Sequence, residues 1–340
     1  MNLLARLGIA AAILSNLVVA YTILPTTDAS GANTYDLDER NFELQGPYNK
    51  PDVHDPGFDV AAELLKVLPV HQPTNISAWE VGVLPSNCLK YFGSNGRQVQ
   101  KHDFTVYNVT YDDCHVPWVF CQHAESDTSI EKMTTAFGRL PIGMREHVRT
   151  VAALPHPPPG ERAAAFSTDG DIAVRPRYWD MHTLSHEVSH IIDSKLPTAQ
   201  GHNPYTGRPG ALARRYGWRP APKPSAAAAA ATTAQPHLPG AVRKYSDSMR
   251  WRGAEEEDER VVSRYALTSW AEHFAETAGV ALLEVFGGGG TVDRLSPAAG
   301  RGLKRQVGIW VKDWGRVVRG GPETCEEHVR PAQADLVVVG

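Results

Sequence analysis

The stretch HTLSHEVSHIIDS, His182 to Ser194, decides how the rest of this chain is interpreted. It places three histidines at a four-residue period, with Glu187 next to the second of them. On a helix, residues four apart lie on one face with Cβ atoms about 6 Å apart, so His186 and His190 can direct two imidazoles at one ion. This H-E-x-x-H spacing is the pattern in which two histidines bind zinc and the glutamate acts as a general base.

The surroundings of the motif favour a buried helix over a surface helix that carries histidines by chance. Leu184, Ile191 and Ile192 supply an apolar back face. The preceding segment, RAAAFSTDGDIAVRP, has two short apolar runs around Asp169-Gly170, which predicts a hairpin. His182 repeats the period, but two ligands from one helix suffice, so we interpret it as a neighbour of the site or a surface residue.

A catalytic zinc site needs a third protein ligand and one open position. A third histidine in the form H-E-x-x-H-x-x-G-x-x-H is excluded, because Asp193 and Leu196 occupy those positions. The next acidic segment, RYALTSWAEHFAETAG, carries Glu272 and Glu276 four residues apart on one helical face. They are either solvated surface carboxylates, or one binds zinc while the other supports a ligand imidazole. Tyr265, two helical turns before Glu272, can point its phenol toward the substrate side of the ion.

The set H-E-x-x-H-x-x-D, followed by Tyr-x6-Glu-x-Phe-Ala-Glu, resembles the catalytic domain of lethal-factor-type zinc peptidases, a branch of the gluzincins. The resemblance implies an α+β fold: a zincin-like domain with a mixed sheet and an H-E-x-x-H active-site helix, preceded by an N-terminal α+β portion. It also implies Zn²⁺ held by His186, His190 and Glu272. Glu187 would activate the attacking water, and the substrate would be a polypeptide.

The same resemblance assigns the other residues near the ion. Glu276 and Asp193 would support the ligands, and Tyr265 would stabilise the oxyanion. The chain departs from the family in the 81 residues that separate His190 from Glu272. A low-complexity insert rich in Pro, Gly and Ala, residues 197–240, accounts for the excess.

The N-terminus predicts export. Residues 1–20 combine Arg6 with the apolar run LGIAAAILSNLVVA, which is typical of a signal peptide cleaved before Tyr21. A membrane anchor is the alternative, although the run is marginal for a span, so we expect no membrane span after cleavage. The sequons NIS at Asn75 and NVT at Asn108 are candidate glycosylation sites of a secreted protein.

The cysteine count agrees with an oxidising compartment. Four cysteines, an even number, indicate two disulfides in a secreted chain. Cys114 and Cys121 lie in YDDCHVPWVFCQH, where Pro117 could turn the chain between them, and Cys88 would then pair with Cys325. Zinc binding by cysteine is the alternative, but the chain has no C-x-x-C spacing.

Two rival functions stay open beside the peptidase. One is a secreted binding protein on a zincin scaffold without catalysis; the other is a surface or wall protein whose Pro/Ala region and glycans mediate attachment. The secreted setting, the motif and the YDDCHVPWVFCQH segment are also similar to fungal secreted proteins described as conidiation-specific. The net charge of −4 does not favour a nucleic-acid partner, and we expect a monomer.

Local patterns predict the remaining organisation. Residues 21–55 are interpreted as an irregular arm or pro-segment, 56–160 as the N-terminal portion, and 161–330 as the catalytic portion. HDFTVYNVTYDD alternates as a strand does, and Thr128, three residues before Glu131, has the spacing of a helical capping box. Three further segments are predicted as helices: MREHVRTVAAL, VVSRYALTSWAEHFAETAGVALLEVF and LKRQVGIWVKDWGRVV.

Overall fold

A mixed six-stranded sheet with helices packed against it organises the chain. The computed structural model describes residues 50–338 apart from positions 54, 56, 91–99, 101, 158–162, 169, 196–243, 248, 322–323 and 326–335. Its helices are α1 Val60–Val67, α2 Ser86–Lys90, α3 Ile130–Phe137, α4 Ile142–Arg145, α5 Met181–Lys195, α6 Met249–Glu257, α7 Trp270–Gly287, α8 Thr291–Leu295, α9 Pro297–Gly302 and α10 Lys304–Arg319. Two 3₁₀ turns cover Tyr245–Asp247 and Tyr265–Leu267.

The strands are β1 Pro73–Ala78, β2 Val83–Pro85, β3 Phe104–Tyr111, β4 Cys114–His123, β5 Thr150–Ala153, β6 Ala165–Thr168, β7 Asp171–Val174 and β8 Leu336–Val338. The large sheet has the order β1-β3-β4-β5-β7-β6, and β2 pairs with β8 separately. Only the β4–β5 and β5–β7 pairs are parallel. The α+β class and the mixed sheet are thus confirmed. Strands from both sides of residue 160 share this sheet, and all the elements belong to one compact unit, Pro47–His156 with Ala164–Gly340.

The central strands are buried on both faces, because successive residues of β3 and β4 point to opposite faces and each face carries buried residues. On one face Tyr111, Trp118 and Phe120 pack against Phe137 of α3, with ring centroids 5.5–6.2 Å apart. On the other face Phe104, Val106, Val119 and Cys121 join a separate core cluster that includes Leu84 and Cys88. Residues of β3 and β4 thus contribute to two hydrophobic cores at once.

The expected number of disulfides is confirmed, but the expected pairing is wrong. Cys88 bonds to Cys121, and Cys114 bonds to Cys325. Cys114 and Cys121 are both on β4, which continues through Pro117 as an unbroken strand instead of turning there. Seven residues of extended strand separate their Cα atoms by about 23 Å, far beyond the reach of a disulfide.

Segment 124–155 also differs from its prediction. Helix α3 begins one residue later than the capping-box spacing indicates: Ser129 is the N-cap, and its Oγ accepts the Lys132 N–H. The segment MREHVRTVAAL is not one helix; it contains the end of the four-residue α4 and the whole of β5. All four residues of β5 are buried, so its apolar run belongs to a fully covered parallel strand.

The hairpin before the histidine motif is confirmed. β6 and β7 pair antiparallel, and Gly170 in the connection adopts φ +98°, which a glycine tolerates without strain. The strand over Phe104–Tyr111 and the last helix, α10, are also where the sequence predicts them. In the described part of the chain, no helix is long and apolar enough to cross a membrane. The signal peptide, the arm up to residue 49 and the insert 197–240 lie outside the described residues.

Candidate metal centre

Three side chains that the sequence singles out converge on one point. The Nε2 atoms of His186 and His190 lie 3.0 Å apart. The Oε2 atom of Glu272 lies 2.9 Å from His186 Nε2 and 3.1 Å from His190 Nε2. The three atoms therefore form a nearly equilateral triangle, although Glu272 is 82 residues from His190 along the chain.

The helix α5 presents the two imidazoles together. Asp180 begins the helix by accepting the Thr183 N–H at 2.9 Å, and the four-residue spacing then puts His186 and His190 on one face. The opposite face of α5 is apolar and buried, with Leu184, Val188, Ile191 and Ile192 at most 2% exposed. Burial of that face fixes the rotation of the helix, so the histidines must point toward α7.

The helix α7 brings the carboxylate to them. Ser269 is its N-cap and its Oγ accepts the Glu272 N–H at 3.1 Å, which places Glu272 in the first turn. Gly279 of α7 faces α5: a Cβ at this position would lie 3.7 Å from His182 Nδ1 and 3.8 Å from Ser185 Oγ, which is van der Waals contact. The close crossing of α5 and α7 explains why Glu272 can reach both histidines.

The triangle fits a zinc ion. Ligand atoms about 2.0–2.1 Å from a tetrahedral ion are about 3.3 Å from one another, and the observed separations are 2.9–3.1 Å. Two neutral imidazoles and a carboxylate also form a donor set that zinc accepts, and the three atoms leave a fourth position open. His186, His190 and Glu272 could therefore hold a metal in the geometry of a catalytic site.

The electrostatics of the centre favour positive charge. Burial by itself would lower the pKa of His186, but the contacts with Glu272 and Glu276 raise the pKa to about 10. Burial by itself would raise the pKa of Glu272, but its contacts with His186 and His190 lower the pKa to about 2. A site that stabilises a protonated imidazole in this way also stabilises a cation between the same groups.

Glu276 lies directly behind the first histidine. Its Oε1 atom is 2.8 Å from His186 Nδ1 and 3.3 Å from His182 Nε2. Ser263 Oγ donates to its Oε2 atom at 2.6 Å. Burial opposes ionisation of Glu276, but the contacts with the two histidines outweigh it and lower the pKa below its usual value. Glu276 is thus close enough to support the His186 imidazole, which stays a prediction, and His182 contacts the same carboxylate.

Glu187 and Tyr265 lie beside the triangle. Glu187 is 8% exposed, and no described side chain hydrogen-bonds to its carboxylate. The sequence suggested that Tyr265 and Glu272 share one helix, and this is wrong. The helix begins only after its N-cap Ser269, so Tyr265 lies outside it. Its separate 3₁₀ turn still places its ring centroid 5.8 Å from that of His186, with the residue 43% exposed.

Asp193 has a structural partner. Its two carboxylate oxygens accept the N–H and the Oγ–H of Ser246, each at 2.7 Å. Burial raises the pKa of Asp193 to about 6, and the Ser246 bonds and the nearby Lys244 and His190 counter that rise. Asp193 therefore ties the C-terminal end of α5 to the chain that follows the insert.

A second group of potential ligands was not predicted. His71 Nδ1 lies 2.9 Å from Asp112 Oδ1, and His71 Nε2 lies 3.3 Å from Asp113 Oδ2. The buried Arg145 guanidinium already pairs with Asp113. Since Arg145 supplies the positive charge there, this group is a salt-bridge cluster that holds the start of β1 against the β3–β4 turn. Neither it nor Ser263 has a local sequence pattern that would reveal it.

Comparison with known proteins gives the family. The family model of conidiation-specific protein Con-13 matches residues 58–287, which contain the whole metal centre. Conidiation-specific protein 13 of Neurospora crassa is 26% identical over 133 residues, 37% of this chain and 36% of that protein. The match thus spans about a third of the relative's length. No solved structure matches the chain. The similarity to conidiation-specific proteins is confirmed, and the chain belongs to the Con-13 family.

Proposed function

We propose that this protein is a secreted zinc-dependent metallopeptidase, acting on polypeptides as a monomer. The observation that carries the proposal is the convergence of His186, His190 and Glu272, with the buried carboxylate of Glu187 next to His186. The likeness to lethal-factor-type peptidases rests on the same residues. The cleavable signal, the two disulfides and the sequons support an extracellular location.

The roles of the residues follow from their positions. A zinc ion held by the three donors would lower the pKa of water toward about 7 and polarise the scissile carbonyl. Glu187 takes a proton from the attacking water while the water oxygen forms a bond to the carbonyl carbon. It then gives that proton to the leaving amine as the carbon–nitrogen bond breaks. Tyr265 donates its phenolic hydrogen to the oxyanion while charge develops there.

The outer strand β6 supplies a surface for the substrate backbone. β6, Ala165–Thr168, is the last strand of the six-stranded sheet and contacts α5, the helix of the two histidines. Among the described residues β6 pairs only with β7, so its outer edge can hydrogen-bond an extended peptide, as sheet edges commonly do. A polypeptide bound there would lie along the helix that carries Glu187.

The family match favours a second candidate. Con-13 proteins are described by when they appear, during conidiation, and that description names no reaction. A secreted or cell-surface protein that has lost catalysis, with a structural metal at the same three donors, is equally consistent with the family. The two candidates share the metal and differ in turnover.

The discriminating experiment compares the native protein with Glu187→Gln. Elemental analysis should find one zinc per chain in both proteins, because replacing this carboxylate by an amide leaves the three donors in place. Casein hydrolysis should be measurable in the native protein, stop on addition of a chelator, and fall at least about a thousandfold in the variant.

Glu80→Gln is the matched control, since Glu80 is exposed in the turn between β1 and β2. It should keep both zinc and activity. Stoichiometric zinc without hydrolysis would select the non-catalytic candidate. Less than stoichiometric zinc in the native protein would reject the metal centre itself.

A further inference from the structure

The two N-glycosylation sequons of the chain are partners across one pair of strands. The whole sequence has two such sequons, Asn75-Ile76-Ser77 and Asn108-Val109-Thr110. In the β1–β3 register, Asn75 is opposite Thr110 and Ser77 is opposite Asn108. Each asparagine therefore faces the hydroxyl residue of the other sequon, although the two asparagines are 33 positions apart in the sequence.

All four of these side chains share one face of the sheet, because directly opposed residues and residues two apart point the same way. On β3 the neighbouring residues Val109 and Tyr111 are buried, and Tyr111 donates its hydroxyl hydrogen to the Thr134 carbonyl of α3. Asn108 and Thr110 must point away from that helix. Asn75 and Ser77 are exposed, and Asn108 and Thr110 are half-buried, so the sequon patch is open to solvent.

The patch lies at the free edge of the sheet. β1 is the terminal strand, and within the described residues it pairs with β3 alone. Residues Thr74–Ala78 are all exposed, and PTNISA contains no charged side chain. Natural proteins protect such edges with charges, prolines, bulges or covering elements. Here a proline and an irregularity in register occur only at the start of the strand, near Pro73.

The opposite edge of the same sheet is different. All four residues of β6 are half-buried, whereas five of the six residues of β1 are exposed, among them Ile76 at 36% exposure. An unprotected strand of this composition invites pairing with the same strand of a second copy.

We propose that Asn75 and Asn108 both carry N-linked glycans, and that the two glycans together cover the free edge of β1. Diagonal neighbours on an antiparallel pair lie about 7–8 Å apart, which leaves room for two sugar stems side by side. The glycans replace the charges that usually keep an edge strand from pairing. This inference depends on passage through the secretory pathway and is independent of the metallopeptidase proposal.

The experiment secretes the full chain from a eukaryotic host. Intact mass before and after treatment with a glycosidase that removes N-glycans should show two glycans on the native chain. It should show one glycan on Ser77→Ala, which removes the Asn75 sequon, and one on Thr110→Ala, which removes the other. Ser77→Thr keeps the sequon and should keep both glycans. A native chain that carries fewer than two glycans would overturn the proposal.

The covering role is tested by association. Asn75→Gln/Asn108→Gln should form dimers and larger species at a concentration at least about tenfold lower than the native chain, measured by size exclusion with light scattering. Adding Ile76→Lys, a charge on the same edge, should return the double variant to the monomer. A double variant that stays as monomeric as the native chain, or a lysine that does not restore the monomer, would refute the covering role.

Discussion

Ser263 joins the two parts of the candidate active site that the sequence leaves unconnected. Its hydroxyl donates to Glu276, which contacts the proposed ligand His186, and its Oγ accepts the Ala266 N–H at 3.2 Å. Ala266 is in the 3₁₀ turn that presents Tyr265. One side chain thus hydrogen-bonds both Glu276 and the turn that contains Tyr265, the proposed oxyanion donor. Loss of its hydroxyl should disturb both.

We expect Ser263→Ala to weaken zinc binding about tenfold, since residues that support a metal ligand typically contribute 10–100-fold to affinity. It should also lower kcat by loosening the turn of Tyr265. Competition with a chelator gives the zinc affinity, and the visible spectrum of the Co²⁺-loaded protein reports the ligand geometry.

Tyr265→Phe is the comparison for that variant. It removes a hydroxyl that makes no contribution to metal binding, so kcat should fall while zinc affinity and the Co²⁺ spectrum stay unchanged. If Ser263→Ala has the zinc affinity and spectrum of the native protein, Ser263 does not act through Glu276.

The metal centre shows what a single sequence reveals at the scale of residues. His186 and His190 are predictable because their spacing is read on one helix. The acidic pair Glu272 and Glu276 is predictable in the same way, but the choice of Glu272 as the third ligand comes from the resemblance to lethal-factor-type peptidases. Ser263 is not predictable, because it is 13 residues from Glu276 with a helix cap between them. The Asp193–Ser246 contact spans 53 residues and has no local signal. The roles of the three donors as metal ligands remain predictions.

At the scale of elements, periodicity predicts long amphipathic segments well and short buried ones badly. α10 follows its pattern because the helix is 16 residues long and has one buried face. β5 does not, because a four-residue strand covered on both faces has an apolar run that a helix could equally show. The segment VVSRYALTSWAEHF divides at Ser269, whose side chain caps a new helix.

Asp193 and Ser246, which flank the predicted insert, meet in space, and this gives a prediction at the scale of elements. Asp193 at the end of α5 accepts two hydrogen bonds from Ser246, so the chain leaves and returns at the same place. Replacing residues 200–240 with about six Gly and Ser residues should therefore preserve the zinc stoichiometry and the fold. Closing a shorter loop costs less conformational entropy, so the free energy of unfolding should rise by about 1 kcal/mol.

Chemical denaturation and elemental analysis test this deletion. Asp193→Ala in the same shortened chain is the control, and it should lose about 2–4 kcal/mol because the buried Ser246 donors lose their acceptor. Loss of zinc in the shortened chain alone would mean that the insert contributes to the centre.

At the scale of the whole molecule, the disulfides depend on topology that no local pattern contains. Pro117 suggested a turn between Cys114 and Cys121, but the hydrogen bonds of β4 with β3 keep that segment extended. The two cysteines are an odd number of residues apart and so lie on opposite faces of the sheet. Cys121 therefore meets Cys88 in one core, while Cys114 meets Cys325 from the C-terminal segment.

The Cys114–Cys325 bond should be the larger contributor to stability from chain entropy. It closes a separation of 211 residues, against 33 for Cys88–Cys121, and the entropy removed from the unfolded chain grows with the logarithm of that separation. We expect Cys114→Ala/Cys325→Ala to lower the free energy of unfolding by about 3–5 kcal/mol in urea. The metal centre should keep its zinc, because α5 and α7 contact each other directly and neither helix contains a cysteine.

Limited proteolysis tests which segment of the chain the Cys114–Cys325 bond stabilises. Cys325 follows α10 and fixes the C-terminal segment to β4, so the variant should be cleaved faster beyond Arg319 while the sheet resists. The native chain under non-reducing conditions is the reference. An unfolding free energy within about 0.5 kcal/mol of the native value would contradict this prediction. Buried packing at Thr324 and at position 325 would then hold the segment without the covalent bond.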